Sequence, residues 1–252
     1  MIVEAKDLGE GIRMLTLNHP PANAISRALN EELGRACHGA RDDRTVRAVI
    51  VTGAGRFFSG GLELKEVLSG QSRIADLAGS EDDGIFALWT LPKPTVAMVN
   101  GHAIAGGAIL ALACDFRITA RGSHRIGLNE AAIGLALPIG AFEIVQRALT
   151  NRGMRFAALG AGLHEPERAL ELGFVDEVIA PEKLQSRCVE MAGALARHGR
   201  LAYAHTKRAI WREAVARALS QKPEEIREID DISRSEETRA LMAEQVSRLS
   251  KR

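Results

Sequence analysis

Aromatic residues are scarce in this chain: Phe, Trp and Tyr make up 4% of its 252 residues, with a single tyrosine. So few rings offer no stacking platform for bases, and 33 Lys and Arg against 32 Asp and Glu leave no basic footprint. Nucleic acid is therefore not an expected partner. Cysteine is scarce too: Cys37, Cys114 and Cys188 are odd in number and lack C-x-x-C spacing. They read as reduced, buried thiols of a cytoplasmic protein, not as a metal site or a disulfide framework. Long apolar runs are also missing. The most apolar window, residues 103–114, falls well short of the roughly 20 residues of a membrane span and reads as a buried helix, so no membrane association is expected. Glu4, Asp7 and Glu10 give the first residues neither signal-peptide nor transit-peptide character.

What is present, in a length suited to one main domain with a helical tail, is an α/β pattern. Residues 2–5 and 12–17 alternate around Gly9-Glu10-Gly11 and predict a hairpin. Pro20-Pro21 predicts an extended surface segment, and Ser26 an N-cap for a helix presenting Leu29, Leu33, Ala36 and Ala40. The uninterrupted run at 46–52 reads as a strand buried on both faces. Residues 95–99 and 174–179 are further strands, and 166–172 form a helix with proline at its start and Gly173 past its end. Beyond Pro181 every segment is helical by period: 184–196, 202–219, 223–233 and 236–249. These last helices are thinly apolar and are expected to pack on their own core or on a neighbouring subunit.

The chemistry converges on residues 96–138. A strand breaks at Asn100-Gly101 and reaches Ala105-Gly106-Gly107 before an apolar helix predicted over 108–116. Adjacent glycines at a helix start let backbone approach a ligand and leave N–H groups without intrahelical partners, which suits a developing negative charge. Further on, Glu130 stands in the nearly uncharged run LNEAAIGL and is the best candidate base in the chain, although from the residues alone a helix-dipole or salt-bridge carboxylate is the leading reading. Gly60-Gly61 before Leu62 forms a second glycine pair, readable as ligand-facing amides or as an ordinary tight loop. The preceding Gly53-Ala54-Gly55 invites a dinucleotide-binding reading, which fails because Phe58 occupies the third small position and no helix opens there. Residues 70–84 are polar and predict a loop or loosely held helix able to cover a site.

Three segments, FFSGGLELKE (57–66), VNGHAIAGGAILALACDFRI (99–118) and IGLNEAAIGLALP (126–138), resemble in this order the crotonase, or enoyl-CoA hydratase/isomerase, superfamily. The resemblance implies a spiral of ββα units over residues 1–195 carrying an acyl-CoA site. It also implies a C-terminal helical trimerisation region over 196–252, in a homotrimer or a dimer of trimers. By the same resemblance the N–H groups of Leu62 and Gly106 form an oxyanion hole. Ala22, Ala24, Gly60, Gly61, Glu63 and Leu64 match positions that grip the coenzyme A part of the substrate. Lys65 or Arg56 would reach a phosphate or else be solvated surface charge. No metal and no cofactor beyond the substrate's own coenzyme A are implied.

Departures from the pattern matter more. Hydratases of this superfamily use two glutamates, and the first of those positions here is Ile109, the second Glu130. Glu63 stands where aspartate is common. The segment at 126–130 is similar to Δ3,Δ2-enoyl-CoA isomerases, in which one carboxylate suffices and the residue before it, here Asn129, lines the substrate site. The expected activity is a shift of a 3-enoyl-CoA double bond to the 2-position in fatty acid metabolism. The alternatives are a hydratase-like reaction recruiting Glu143, which otherwise reads as an exposed helix-face charge, and a non-catalytic CoA-binding oligomer. His102 and His124 read as hydrogen-bonded structural histidines before proton carriers.

Overall fold

The computed structural model describes residues 1–76 and 83–250. Its organising strand is the apolar, β-branched run, where Val49, Ile50 and Val51 have no solvent face because sheet neighbours and packed helices cover both sides. The large sheet has the order β1-β2-β3-β5-β7-β9, formed by β1 (Val3–Gly9), β2 (Ile12–Leu17), β3 (Ala48–Gly53), β5 (Thr95–Val99), β7 (Phe116–Ala120) and β9 (Glu177–Ile179). The hairpin β1-β2 is antiparallel; every other pair is parallel. A second, parallel sheet has the order β4-β6-β8 and consists of β4 (Phe57–Ser59), β6 (His102–Ile104) and β8 (Ile126–Gly127). Three times the chain passes through the large sheet, then the small sheet, then helical structure, so the expected spiral of ββα units is the observed α/β architecture.

Helices fill the intervals: α1 (Arg27–Asp42), α2 (Leu64–Ser69), α3 (Gly84–Trp89), α4 (Gly106–Leu112), α5 (Ile139–Ala148), α6 (Asn151–Ala158) and α7 (Pro166–Leu172). The tail adds α8 (Leu184–Ala196), α9 (Arg200–Leu219), α10 (Pro223–Arg234) and α11 (Glu236–Ser250). Ser26 caps α1 as predicted, its hydroxyl accepting from the Leu29 amide at 3.2 Å, and Leu29, Leu33, Cys37 and Ala40 are buried.

Several expectations need correction. The apolar helix predicted over 108–116 ends at Leu112, and Phe116 instead opens β7. The reason is Asp115, whose carboxylate accepts from the Thr95 amide at 2.9 Å and whose own amide donates to Thr95 Oγ1, pulling the chain alongside β5. Pro20-Pro21 lies on the surface but makes a turn through a cis peptide instead of running extended. Of the covering segment predicted over 70–84, residues 77–82 lie outside the described residues. Ile74 before them is buried against Ile133, Leu135 and Met242.

The tail packs on its own chain. Lys207 of α9 is 5% exposed and meets Asp115 at 2.9 Å, where Tyr203 Oη also donates to the same carboxylate at 3.0 Å. Replacing Lys207 by Met strands that buried carboxylate without its cation, and is expected to lower unfolding free energy by about 3 kcal/mol, read as a reduced denaturant midpoint with unchanged slope. α10 and α11 lie over α2, over the single helical turn Ile74–Asp76 and over the turn Ala131–Ile133, with Met242 1% exposed among them. Among the described residues no helix is long and apolar enough to cross a membrane.

Candidate active site

The three strands of the small sheet run parallel and end together. Phe57 pairs with His102, and Ala103 with Ile126. Immediately beyond their carboxyl ends come Gly60-Gly61-Leu62, Ala105-Gly106 and Leu128-Asn129-Glu130, so the three segments singled out in the sequence meet at one edge, the usual ligand side of a parallel sheet. Strand pairing, not proximity in sequence, makes this site.

The Leu62 amide is aimed by an isolated parallel bridge. Ile25 N–H donates to Gly61 O at 2.7 Å and Ile25 O accepts from the Glu63 amide at 3.2 Å, which turns the intervening Leu62 N–H to the opposite side. Gly106 lies on that side. A Cβ built on Gly106 would stand 3.4 Å from Leu62 N, and one on Gly61 would stand 3.2 Å from Gly106 N and 2.7 Å from Ile104 O. With φ at +89°, Gly61 admits no side chain on either count, and its absence lets the two amides come together. Ala105, at φ +53°, holds the turn into α4.

The loop at 22–24 is stapled beneath. The Gly60 amide donates to Ala22 O at 2.8 Å, and Ser59 Oγ donates to Asn23 O at 2.8 Å. Asn23 is 2% exposed, sits at φ +50°, and donates from Nδ2 to Ala54 O and Phe57 O. Reading the sequence placed Asn23 in the loop but missed it as the staple; the available signal was that asparagine tolerates left-handed backbone after a proline turn. Ala22 stays half-buried beside Gly60 and Ala24 is half-buried as well, while Glu63 caps α2, its carboxylate accepting from the Lys65 amide at 3.3 Å, and Leu64 begins that helix. Lys65 and Arg56 are exposed.

Glu130 is 8% exposed, and its Oε2 has no hydrogen-bond partner. It borders a cavity of about 270 Å³ whose other walls, among them Leu128, Leu135, Leu137 and Phe142, are apolar. Burial pushes its carboxyl up to about 7, against a smaller opposing pull from the backbone amides of Glu130 itself and Asn129. The salt-bridge alternative for this residue is not what the structure shows, since among the described residues no cation acts on it. Asn129 Oδ1 is likewise buried and unpartnered. These two adjacent acceptors lie just past the end of β8, where no group among the described residues donates to them. The turn that follows Glu130 packs Ile133 and Leu135 against Leu62, which ties the acid to the glycine segments. Ile109, one turn into α4, is fully buried.

Glu143 is neither an exposed helix-face charge nor an available second acid. It is 2% exposed, and its two oxygens accept from Arg217 Nε at 2.6 Å and Nη2 at 2.7 Å. The histidines are structural: His102 Nδ1 accepts from the Arg125 amide, and His124 Nε2 lies 2.8 Å from Thr119 Oγ1. Burial lowers the pKa of both. All three cysteines are buried free thiols, pushed up to about 12 by desolvation. A larger hollow of about 540 Å³ between α1, α3 and α9 is lined by none of the three motif segments.

Known proteins resemble this chain in sequence and fold. The family model described as enoyl-CoA hydratase/isomerase covers residues 7–245. The human mitochondrial Δ3-Δ2-enoyl-CoA isomerase superposes with a TM-score of 0.91 at 25% identity, over 100% of this chain and 99% of that one. A Mycobacterium tuberculosis protein, described as an enoyl-CoA isomerase in one structure and as a probable enoyl-CoA hydratase in another, gives 0.78 at 35% identity over 92% and 97% in the first and 0.73 at 32% over 92% and 94% in the second. Among curated sequences, a carnitinyl-CoA dehydratase of Escherichia coli is 35% identical over 199 residues, 77% of this chain and 74% of that protein. With the family model matching residues 7–245, a curated relative 35% identical over 77% of the chain, and the fold agreeing, the chain belongs to the enoyl-CoA hydratase/isomerase family.

Proposed function

We propose that the protein is a Δ3,Δ2-enoyl-CoA isomerase. The observation that carries this reading is that Glu130 is the one carboxylate among the described residues lining its otherwise apolar cavity, Glu143 being taken by Arg217; the resemblance adds that the family's position for a second acid is filled by Ile109. In this reading the thioester oxygen lies between the Leu62 and Gly106 amides, and Glu130 takes a proton from C2. Charge then spreads onto that oxygen as a dienolate, where two preorganised donors are worth about 3 kcal/mol each. Glu130 returns the proton to C4, and the double bond has moved from the 3-position to the 2-position with no net gain or loss of atoms. The apolar walls keep water from the intermediate. Asn129 lines the acyl path, and the loops at 22–24 and 60–64 hold the coenzyme A portion. A homotrimer, or a dimer of trimers, is the assembly we propose, with Leu201 and Ile210 of α9, 85% and 57% exposed, as apolar surface it would cover.

A second reading is favoured by relatives named carnitinyl-CoA dehydratase. Elimination of water begins with the same proton removal but also needs an acid for the departing hydroxyl, and Glu130 alone would serve both roles. Parallel assays with a 3-enoyl-CoA, a 2-enoyl-CoA and carnitinyl-CoA separate the readings. Turnover of the first alone is expected; turnover of either other substrate at a higher kcat/KM replaces the isomerase with a hydratase or dehydratase. Tight CoA binding without any turnover replaces it with a binding protein.

A further inference from the structure

We infer that Thr238 is a positioning residue for Glu130, reaching it across the molecule from α11 through the carbonyl of Gly134. The inference rests on the reading of Glu130 as the catalytic base. Glu130 opens a tight turn in which its carbonyl accepts from the Ile133 amide at 3.0 Å and the Leu135 amide at 2.9 Å, and the Gly134 amide donates back to Ala131 O at 3.2 Å. These bonds close the turn on itself but do not anchor it. Oε2 of Glu130 has no partner, and among the described residues the only groups that act on its carboxyl are the backbone amides of Asn129 and Glu130 at the head of this turn, so the direction of the carboxylate depends on how the turn is held.

The hold comes from 104 residues further along the chain. Thr238, 3% exposed, donates from Oγ1 to Gly134 O at 2.9 Å. Its own backbone is fixed by the cap of α11, where the Thr238 amide donates to Ser235 Oγ at 3.2 Å. Gly134 sits at φ +77°, and a Cβ there would fall 2.7 Å from Thr238 Oγ1 and 3.0 Å from Thr238 Cα, so helix and turn touch backbone to backbone. One helical turn on, Met242 packs with Ile133 and Leu135, a second grip on the same turn. Arg239 Nη1 reaches Leu68 O at 3.4 Å, tying the same stretch of α11 to α2, which follows the Leu62 amide. Thr238 thus connects the base to the helix that also braces the oxyanion loop. A carboxylate that carries one proton from C2 to C4 must stay within reach of both carbons, so a loosened turn costs rate in the chemical step and not affinity for the coenzyme A portion.

The test is steady-state kinetics on a 3-enoyl-CoA for the wild type, Thr238→Val, Thr238→Ser and Glu130→Gln, with thermal midpoints recorded for each. Valine keeps the shape and removes the hydroxyl; it is expected to lower kcat about tenfold with KM unchanged. Serine keeps the hydroxyl and is expected to restore kcat even where its midpoint falls as far as that of the valine variant. The inference is overturned if Thr238→Val turns over at the wild-type rate, if KM rises in place of a fall in kcat, or if serine loses kcat as valine does. If valine does not fold, serine with wild-type kcat still supports the hydroxyl role, and serine with reduced kcat overturns it. Wild-type turnover by Glu130→Gln would instead overturn the catalytic reading on which the inference stands.

Discussion

Glu130→Gln is expected to lose three to four orders of magnitude in kcat, about the full worth of a general base, while its affinity for coenzyme A, measured by calorimetry, stays within about twofold because the amide keeps the shape of the acid. The same substitution is expected to stabilise the protein in alkaline solution. The Glu130 carboxyl lies at about 7 when folded against 4.5 for an ordinary glutamate. A folded value above the unfolded one means that ionisation favours the unfolded chain. The penalty is absent below pH 4.5, grows between 4.5 and 7, and is constant above, where the difference amounts to roughly 3 kcal/mol. The thermal midpoint of the glutamine variant should therefore exceed that of the wild type at pH 8 and converge with it as the pH falls toward 5. For the wild type, the base must be ionised, so kcat/KM should fall with unit slope as the pH drops below about 7. An acid limb near 4.5 would mean that Glu130 is solvated, and its assignment to a dry cavity would fail.

Gly106→Pro is expected to cost about two to three orders of magnitude in kcat, since it deletes one of two donors aimed at the thioester oxygen. Proline is tolerated at the first residue of a helix, where the missing N–H has no intrahelical partner, and Gly106 is the first residue of α4. The fold should survive, as an unchanged circular dichroism spectrum would record. A folded variant with wild-type turnover would show that the oxygen is held elsewhere.

Elements with a long regular pattern were legible in the sequence. The hairpin β1-β2, the buried strand β3, the capped α1, the Pro-to-Gly α7 and all four tail helices follow from period and punctuation. β4, β6 and β8 did not, because two or three residues are too few to show a period; they are strands through one another, as Phe57 beside His102 and Ile104 beside Gly127. The overextended α4 failed for a related reason. Ala113, Cys114 and Phe116 continue its apolar character, and a pairing of Asp115 with Thr95, 20 residues away, ends it. Glu143 shows the same limit at the site, since its neighbours in sequence give no sign of Arg217 on α9.

Residue identity was enough to establish the two glycine pairs, the lone acid in an uncharged run and the isoleucine at position 109, because each is a property of a few consecutive side chains. Which charges are buried, which carboxylate is left without a partner and which is taken by an arginine, and how a helix near the end of the chain comes to grip the turn bearing the base, were settled by folding. Burial and pairing are sums over contacts between segments far apart in the chain, 74 residues from Glu143 to Arg217 and 171 from Leu68 to Arg239. A local pattern carries no trace of a desolvation cost that exists only once those segments have closed around the acid.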